Sequence, residues 1–170
     1  MDEAFDAYVR ARWGSLVRAA TLLTGDATSA EDLVQDTLVR AAAQWHRIDH
    51  RTPDAYVRRI MYTRSIDRWR WRRNQPDPVD LSTVPESADR DRSCDTDSRL
   101  ALESALARLT PKQRAVLVLR FYEDRSEAAT AEILGCSVGT VKSQTSHALG
   151  RIRELAPELA QTFGRQEALR

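Results

Sequence analysis

Ser126 to Arg153 reads SEAATAEILGCSVGTVKSQTSHALGRIR, and its spacing decides the fold of the C-terminal half. Ala128, Ala131 and Leu134 fall on one face of a short helix, with Ile133 beside them. Gly135 supplies the left-handed residue that ends it. Ser137, two residues on, is placed to cap a second short helix. That helix is expected to bury Val138, Val141, Ala148, Leu149 and Ile152 and to turn Thr140, Lys142, Ser143, Ser146, His147 and Arg151 outward. Two helices about a glycine turn, the second offering small polar and basic groups from its N-terminal end, predict a helix-turn-helix. A plain helical hairpin is the alternative, but it has no need for so polar a face near the positive end of a helix, where phosphate is favoured.

Working upstream, Thr110-Pro111 is a helix start signal, and Leu100, Leu102, Leu106 and Leu109 before it repeat with helical spacing. From Pro76 to Asp97 the sequence turns to Pro, Asp, Ser and Thr with few large apolar residues, a composition that cannot repay the entropy of folding. Before that stretch come three long helices. The first carries Phe5, Tyr8, Val9, Trp13, Leu16, Val17, Ala20 and Leu23 on one stripe and ends at Gly25. Thr28 or Ser29 is placed to cap the second, which buries Leu33, Val34, Leu38, Ala41, Ala42 and Trp45. Thr52-Pro53 opens the third, with Tyr56, Val57, Ile60, Met61 and Ile66, running to about Asn74. No stretch alternates with period two for long enough to make a strand. The expected fold is all-α: two small helical domains on a flexible acidic linker, with boundaries at 1–76, 77–98 and 99–163 and a short tail over 164–170.

The chain has 170 residues, of which 30% are charged, with a formal net charge of +1. That near-balance argues against a simple polycation coating nucleic acid, but the charge is distributed unevenly. Arg47 to Arg73 holds nine arginines against three aspartates, and Asp77 to Glu103 holds eight acids against three arginines. The longest purely apolar run is Ala115 to Leu119, too short to span a membrane, and Met1-Asp2-Glu3 begins no visible secretory signal. Two cysteines, Cys94 and Cys136, make neither a disulfide framework nor a four-cysteine zinc site. A soluble, cytoplasmic protein without membrane insertion is expected.

Two constellations in the N-terminal half carry recognition chemistry. Arg64-Ser65-Ile66-Asp67-Arg68-Trp69-Arg70-Trp71-Arg72-Arg73 interleaves arginines with two indoles. Arginine neutralises phosphate and pairs with base edges, and tryptophan offers a flat face to an unstacked base, so the combination suits single-stranded or melting DNA. The alternative is a solvated arginine face with tryptophans in the core, which is expected of one of the two indoles. On the second helix, Asp32, Gln35 and Asp36 share an outer face at three- and four-residue spacing. Acids favour a helix N-terminus, which explains Glu31 and Asp32 but says less about Gln35 and Asp36; a protein-binding surface is the functional reading.

AEDLVQDTLVRAAAQW, then DAYVRRIMYTRSIDRWRWRR, then a linker and LTPKQRAVLVLRFYEDRSEAATAEILGCSVGTVKSQTSHALGRIR, closely resembles the extracytoplasmic-function (group 4) sigma factors of bacterial RNA polymerase, in the sigma-70 family. The resemblance covers about residues 1 to 160. It implies sigma region 2 in the first domain and region 4 in the second, with core RNA polymerase and promoter DNA as partners and room for an anti-sigma factor. By resemblance the segment with Asp32, Leu33, Gln35 and Asp36 docks on the polymerase. Arg47 and Arg51 in the loop from about His46 to Asp54, with Arg64, Ser65, Asp67, Arg68, Trp69, Arg72 and Arg73, then open and read the −10 element. Ser137, Gly139, Thr140, Lys142, Ser143, Ser146, His147 and Arg151 are the corresponding candidates for the −35 element. Ala129 stands where an acidic residue is frequent in that family, and His147 where an arginine is frequent, replacing a fixed charge by a titratable one.

Two rival classes make other demands on the sequence. A ligand-responsive helix-turn-helix regulator would need a sensory N-terminal domain, and here that place is taken by an arginine and tryptophan helix. An enzyme or metal centre would rest on His46, Asp49 and His50, whose spacing could hold a metal only if the second helix ran that far. The expectation is therefore a transcription initiation factor that is not an enzyme, with no cofactor, no metal and no small-molecule substrate. Cys94 is expected to be inert in the linker, and Cys136 to be a packing residue.

Overall fold

Helix α1 (Glu3–Thr24) starts where the Asp2 carboxylate accepts hydrogen bonds from the N–H groups of Ala4 and Phe5, and ends at Gly25 in the left-handed region. A computed structural model of the chain describes residues 2–48, 53–73 and 94–157. Helix α2 (Ala27–Gln44) is capped by Asp26, whose side chain accepts from Ser29 N–H at 2.7 Å. The expected caps, Thr28 and Ser29, thus lie inside the helix. Asp26 wins because the left-handed Gly25 turns the chain so that Asp26 is extended at the helix entrance, the conformation an N-cap needs. A short 3-10 turn, Trp45–Arg47, follows. Helix α3 (Pro53–Arg73) begins with proline at its first position, as expected.

The C-terminal half opens with α4 (Cys94–Ala107), which starts inside the span 77–98 read as linker. Residues 77–93 of that span, the three residues before it and the 164–170 tail fall outside the described residues. Helix α5 (Pro111–Leu117) carries a complete capping box, with Thr110 accepting from Gln113 N–H and the Gln113 side chain accepting from Thr110 N–H. It runs directly into a π turn, Val118–Tyr122, where Glu123 N–H reaches back to the Val118 carbonyl. Helices α6 (Glu127–Leu134) and α7 (Val138–Leu155) complete the chain, joined at the left-handed Gly135 and the Ser137 cap. Helix α7 has 18 residues, longer than the short helix expected. Among the described residues there is no strand.

The two halves also pack on one another. Leu16, Ala20, Leu33, Val34, Val57 and Met61 of α1, α2 and α3 form a core that also takes in Ala115, Val118, Leu119 and Ile133 from the second half. Leu119 and Ile133 are each almost wholly buried, and burial of an aliphatic side chain of that size contributes about 1.5–3 kcal/mol. A separate core of Leu106, Leu109, Leu117, Phe121, Leu149 and Ile152 holds α4, α5 and α7 together. Each half therefore has apolar packing of its own, and the two halves are also seated on one another. The face read as buried shifts slightly on several helices. Ala42, Ala128 and Val138 are exposed and Trp13 is half-exposed. Thr130 and Thr145 are buried instead, Thr145 by donating its hydroxyl back to the Val141 carbonyl.

Candidate nucleic-acid and partner interfaces

On α2, the residues Asp32 and Gln35 are exposed and Asp36 is partly so, on a single outer face. Leu33 does not belong with them. At 0% exposure it lies in the core, because one residue turns a helix by about 100° and carries Leu33 from the acidic face to the packed one. Its contribution to any docking is to hold the helix in place. The same face includes a residue the sequence reading missed: Val39 is 70% exposed, seven positions after Asp32 and three after Asp36. The signal was an apolar residue on a polar stripe.

Asp36 is a junction between the two N-terminal constellations. It accepts from Arg64 Nε of α3 at 2.8 Å and from Arg40 Nε at 3.0 Å. Burial alone would raise its carboxyl pKa, but the hydrogen bonds from Arg64 and Arg40 outweigh that and hold it below the usual carboxylate range. Ser29 and Asp32 of α2 and Arg64, Asp67, Arg68 and Trp71 of α3 line one groove of about 480 Å³. Acidic and arginine-rich faces that are separate in sequence thus form adjoining walls.

Along α3, neither tryptophan is a core residue. Trp69 is 38% and Trp71 64% exposed, contrary to the expectation that one of them would be buried. The reason is that Val57, Met61 and Tyr62 fill the buried stripe of α3 further upstream, leaving the last turns to project beyond the core. Ser65 donates its hydroxyl to the Tyr62 carbonyl at 2.8 Å, and Asp67 lies 3.9 Å from Arg70. Arg47 is exposed; Arg51 and the side chains of Arg72 and Arg73 are outside the described residues.

Helix α7 presents the face expected of it. Ser137, Gly139, Thr140, Lys142, Ser143, Ser146, His147 and Arg151 are all exposed. Ser137 Oγ accepts from Thr140 N–H at 3.1 Å and shares a hydrogen bond with Thr140 Oγ1 at 2.9 Å, so its first task is to cap. Lys142 Nζ lies 3.6 Å from Glu127, and Arg151 lies 3.3 Å from Glu154, one turn further on. Both are largely exposed pairs of the kind that contribute at most about 1 kcal/mol.

A third cluster lies where the halves meet, and only its i, i+4 pair Asp54 and Arg58 could have been noticed in the sequence. Arg58 is buried and donates to Asp54 at 2.9 Å and to Glu123, 65 residues away. Tyr62 donates its hydroxyl to the same Glu123 oxygen at 3.0 Å, and Arg125 donates to Asp54. Tyr8 of α1 donates to Asp54 at 3.2 Å. Burial pushes the Glu123 carboxyl up against the pull of Arg58. For Asp54 burial acts the same way, but Arg58 and Arg125 outweigh it and hold the carboxyl down. Among the described residues no group of three or more His, Cys, Asp or Glu is placed to hold a metal ion, and no helix is long and apolar enough to cross a membrane. Asp49 and His50 lie outside them.

Residues 7–75 match the family described as Sigma-70 region 2, and residues 99–152 the family described as Sigma-70, region 4. The chain is 42% identical over 151 residues to the RNA polymerase sigma-E factor of Streptomyces coelicolor, an overlap of 88% of this chain and 84% of that protein. It is 34% identical over 166 residues to the ECF RNA polymerase sigma factor SigL of Mycobacterium tuberculosis, covering 95% and 92% of the two. Among solved structures it is similar to the sigma factor RpoE of Bartonella quintana, crystallised with the anti-sigma factor NepR, with a TM-score of 0.68 and 25% identity over 92% of this chain and 99% of that one.

Proposed function

The chain belongs to the extracytoplasmic-function sigma factors of the sigma-70 family, which direct promoter-specific transcription initiation by RNA polymerase, and from that premise we propose how its residues divide the work. Residues 1–76 bind core polymerase and read and open the −10 element. Residues 99–163 read the −35 element, and 77–98 connect the two. The protein acts on polymerase in the cytoplasm, with an anti-sigma factor as its natural antagonist, and it makes or breaks no covalent bond itself.

Polymerase docks on the Asp32, Gln35, Asp36 and Val39 face of α2. The −10 strand lies along the end of α3, where Arg64 and Arg68 take phosphate and an exposed indole receives an unstacked base. Stacking on an aromatic side chain is worth about 1–3 kcal/mol per base, enough to offset much of the few kcal/mol that unstacking costs. At −35, Thr140, Ser143 and Ser146 approach base edges from the first turns of α7, while Lys142 and Arg151 act through phosphate. Joining two weak readers makes the second contact intramolecular, so neither has to bind strongly alone.

The observation that supports this reading best is the end of α3, with its cations and two exposed indoles beside the acidic face of α2. The test is Arg68→Ala with Arg72→Ala, probed by permanganate footprinting of the promoter bubble. The double variant should keep polymerase binding and −35 affinity but lose thymine reactivity over −10, and a promoter already mismatched there should recover part of the activity. Normal reactivity on a fully paired promoter would reject the assignment and leave these arginines as ordinary surface.

A further inference from the structure

The two cations on the outer face of α7 are held in different ways, and the difference lies in the acids opposite them. Arg151 faces Glu154 of the same helix, and both side chains are more than half exposed, so either can swing aside. Lys142 Nζ instead lies 3.6 Å from Oε2 of Glu127, on α6. Glu127 is not free in the same way, because its other oxygen, Oε1, lies 4.0 Å from Nη2 of Arg120. Arg120 belongs to the π turn and its side chain is only 6% exposed. Its Nη1 donates to the Arg125 carbonyl at 2.8 Å, while its Nε is buried without a hydrogen bond among the described residues. A buried guanidinium so sparsely bonded depends on a counter-charge, and withdrawing one is costly. The first turn of α6, where Glu127 stands, also favours an acid. The carboxylate is therefore anchored on its buried side, and Lys142, 64% exposed, is the partner that moves.

That asymmetry bears on DNA. An ammonium is a compact point charge. Turning Lys142 to a phosphate either leaves Glu127 behind or brings phosphate and carboxylate to the same cation, and in both cases a fixed anion opposes the contact. An exposed pair is weak, so the opposition is modest. Phosphate contacts carry no sequence information directly, so it falls on every sequence alike.

We propose that Glu127 is an affinity-setting residue for the −35 reader: held in place by Arg120, it competes with DNA phosphate for Lys142 and keeps that reader weak on its own. It acts through Lys142 and touches no base itself. The competition rests on the assignment of Lys142 to phosphate made above. Its consequence is that binding without polymerase stays low on all sequences, while base preference is left to Thr140, Ser143 and Ser146.

The test measures binding of the full-length chain to a −35 duplex and to a scrambled duplex by fluorescence anisotropy. Glu127→Gln should bind both about two- to fivefold more tightly, with the ratio between them unchanged. Should that variant prove unstable in urea, Glu127→Asp leaves an anion for Arg120 but draws it back from Lys142 by one methylene, and should gain in the same direction. In a Lys142→Ala background the gain should vanish. Direct repulsion of phosphate, or a merely structural effect on the fold, would survive there, and a surviving gain would overturn the competition. Glu154→Gln removes the same charge from an acid without a buried anchor and should gain clearly less; an equal gain would reduce Glu127 to bulk charge. Weaker binding by a folded Glu127 variant would also overturn the competition, since Glu127 would then be presenting Lys142 to DNA. If Lys142→Ala by itself leaves duplex affinity unchanged, the phosphate assignment fails and takes the competition with it. If Lys142→Ala weakens binding while neither Glu127 variant tightens it, only the competition fails.

Discussion

Two clusters of paired charge use the same residue types under different solvation. At the junction, Arg58 and Glu123 have side chains only 6% exposed, so each depends on the other for its charge to be tolerated. On the α2 and α3 surface, Asp36 with Arg40 and Arg64 has water at hand. A buried pair is costly to break from one side, whereas an exposed one exchanges its partner for a ligand at little loss. The first arrangement suits holding a shape, and the second suits binding something.

The sharpest way to break this contrast is Arg58→Ala, which leaves the buried Glu123 and the half-buried Asp54 with Arg125 as their one shared cation among the described residues. The folded chain should lose about 3–5 kcal/mol, measured by urea unfolding. A loss below about 1 kcal/mol would place the junction in the same class as the exposed pairs. On the other cluster the order of effects reverses. Asp32→Arg with Asp36→Arg should unfold at nearly the wild-type urea concentration, yet lose core polymerase in co-purification by roughly tenfold or more, equivalent to about 1.4 kcal/mol. Retention by a folded double variant would remove polymerase docking from this face.

Smaller is the expected effect of Lys142→Ala. It should weaken −35 binding about uniformly across sequences and flatten the salt dependence by roughly one unit. Altered base preference with an unchanged slope would instead make Lys142 a reader of sequence. The finest distinction lies within the buried cluster. Because the Glu123 carboxyl is raised when folded, the folded state takes up its proton first, and its charge weighs against stability at neutral pH. Lowering the pH through that titration should therefore favour wild type relative to Glu123→Gln in paired urea titrations. Asp54 is held low, so its contribution is present at neutral pH and is lost only as the pH falls through its depressed value. Being common to both proteins, that loss cancels in the comparison. A constant difference across the range would show that Glu123 carries no raised titration.

Periodicity made the helices legible, and glycine and capping residues made the helix-turn-helix legible, because both depend on neighbours within one turn. The acid face of α2 and the polar face of α7 could be read for the same reason. Leu33 was misplaced because a docking segment taken as a block ignores the turn of the helix. The burial of one indole failed because α3 outruns the core that Val57, Met61 and Tyr62 build. The meeting of Arg58 with Glu123 had no local signature at all. Seating one half on the other is decided by surface fit between distant residues, and helical spacing is blind to it.

The π turn at Val118–Tyr122 gives this seating a mechanical dependence on chain length. A regular helix advances about 100° per residue, so the wider turn resets the phase of everything after it. It lets Leu117 and Phe121 face their own half while Glu123 and Arg125 are delivered to the other. Removing a single residue here should restore α-helical winding and swing Glu123 away from Arg58. The segment thus acts as a phase adjuster between two helical registers, its length setting which side chains reach the other half while Val118 and Leu119 supply the apolar contact there.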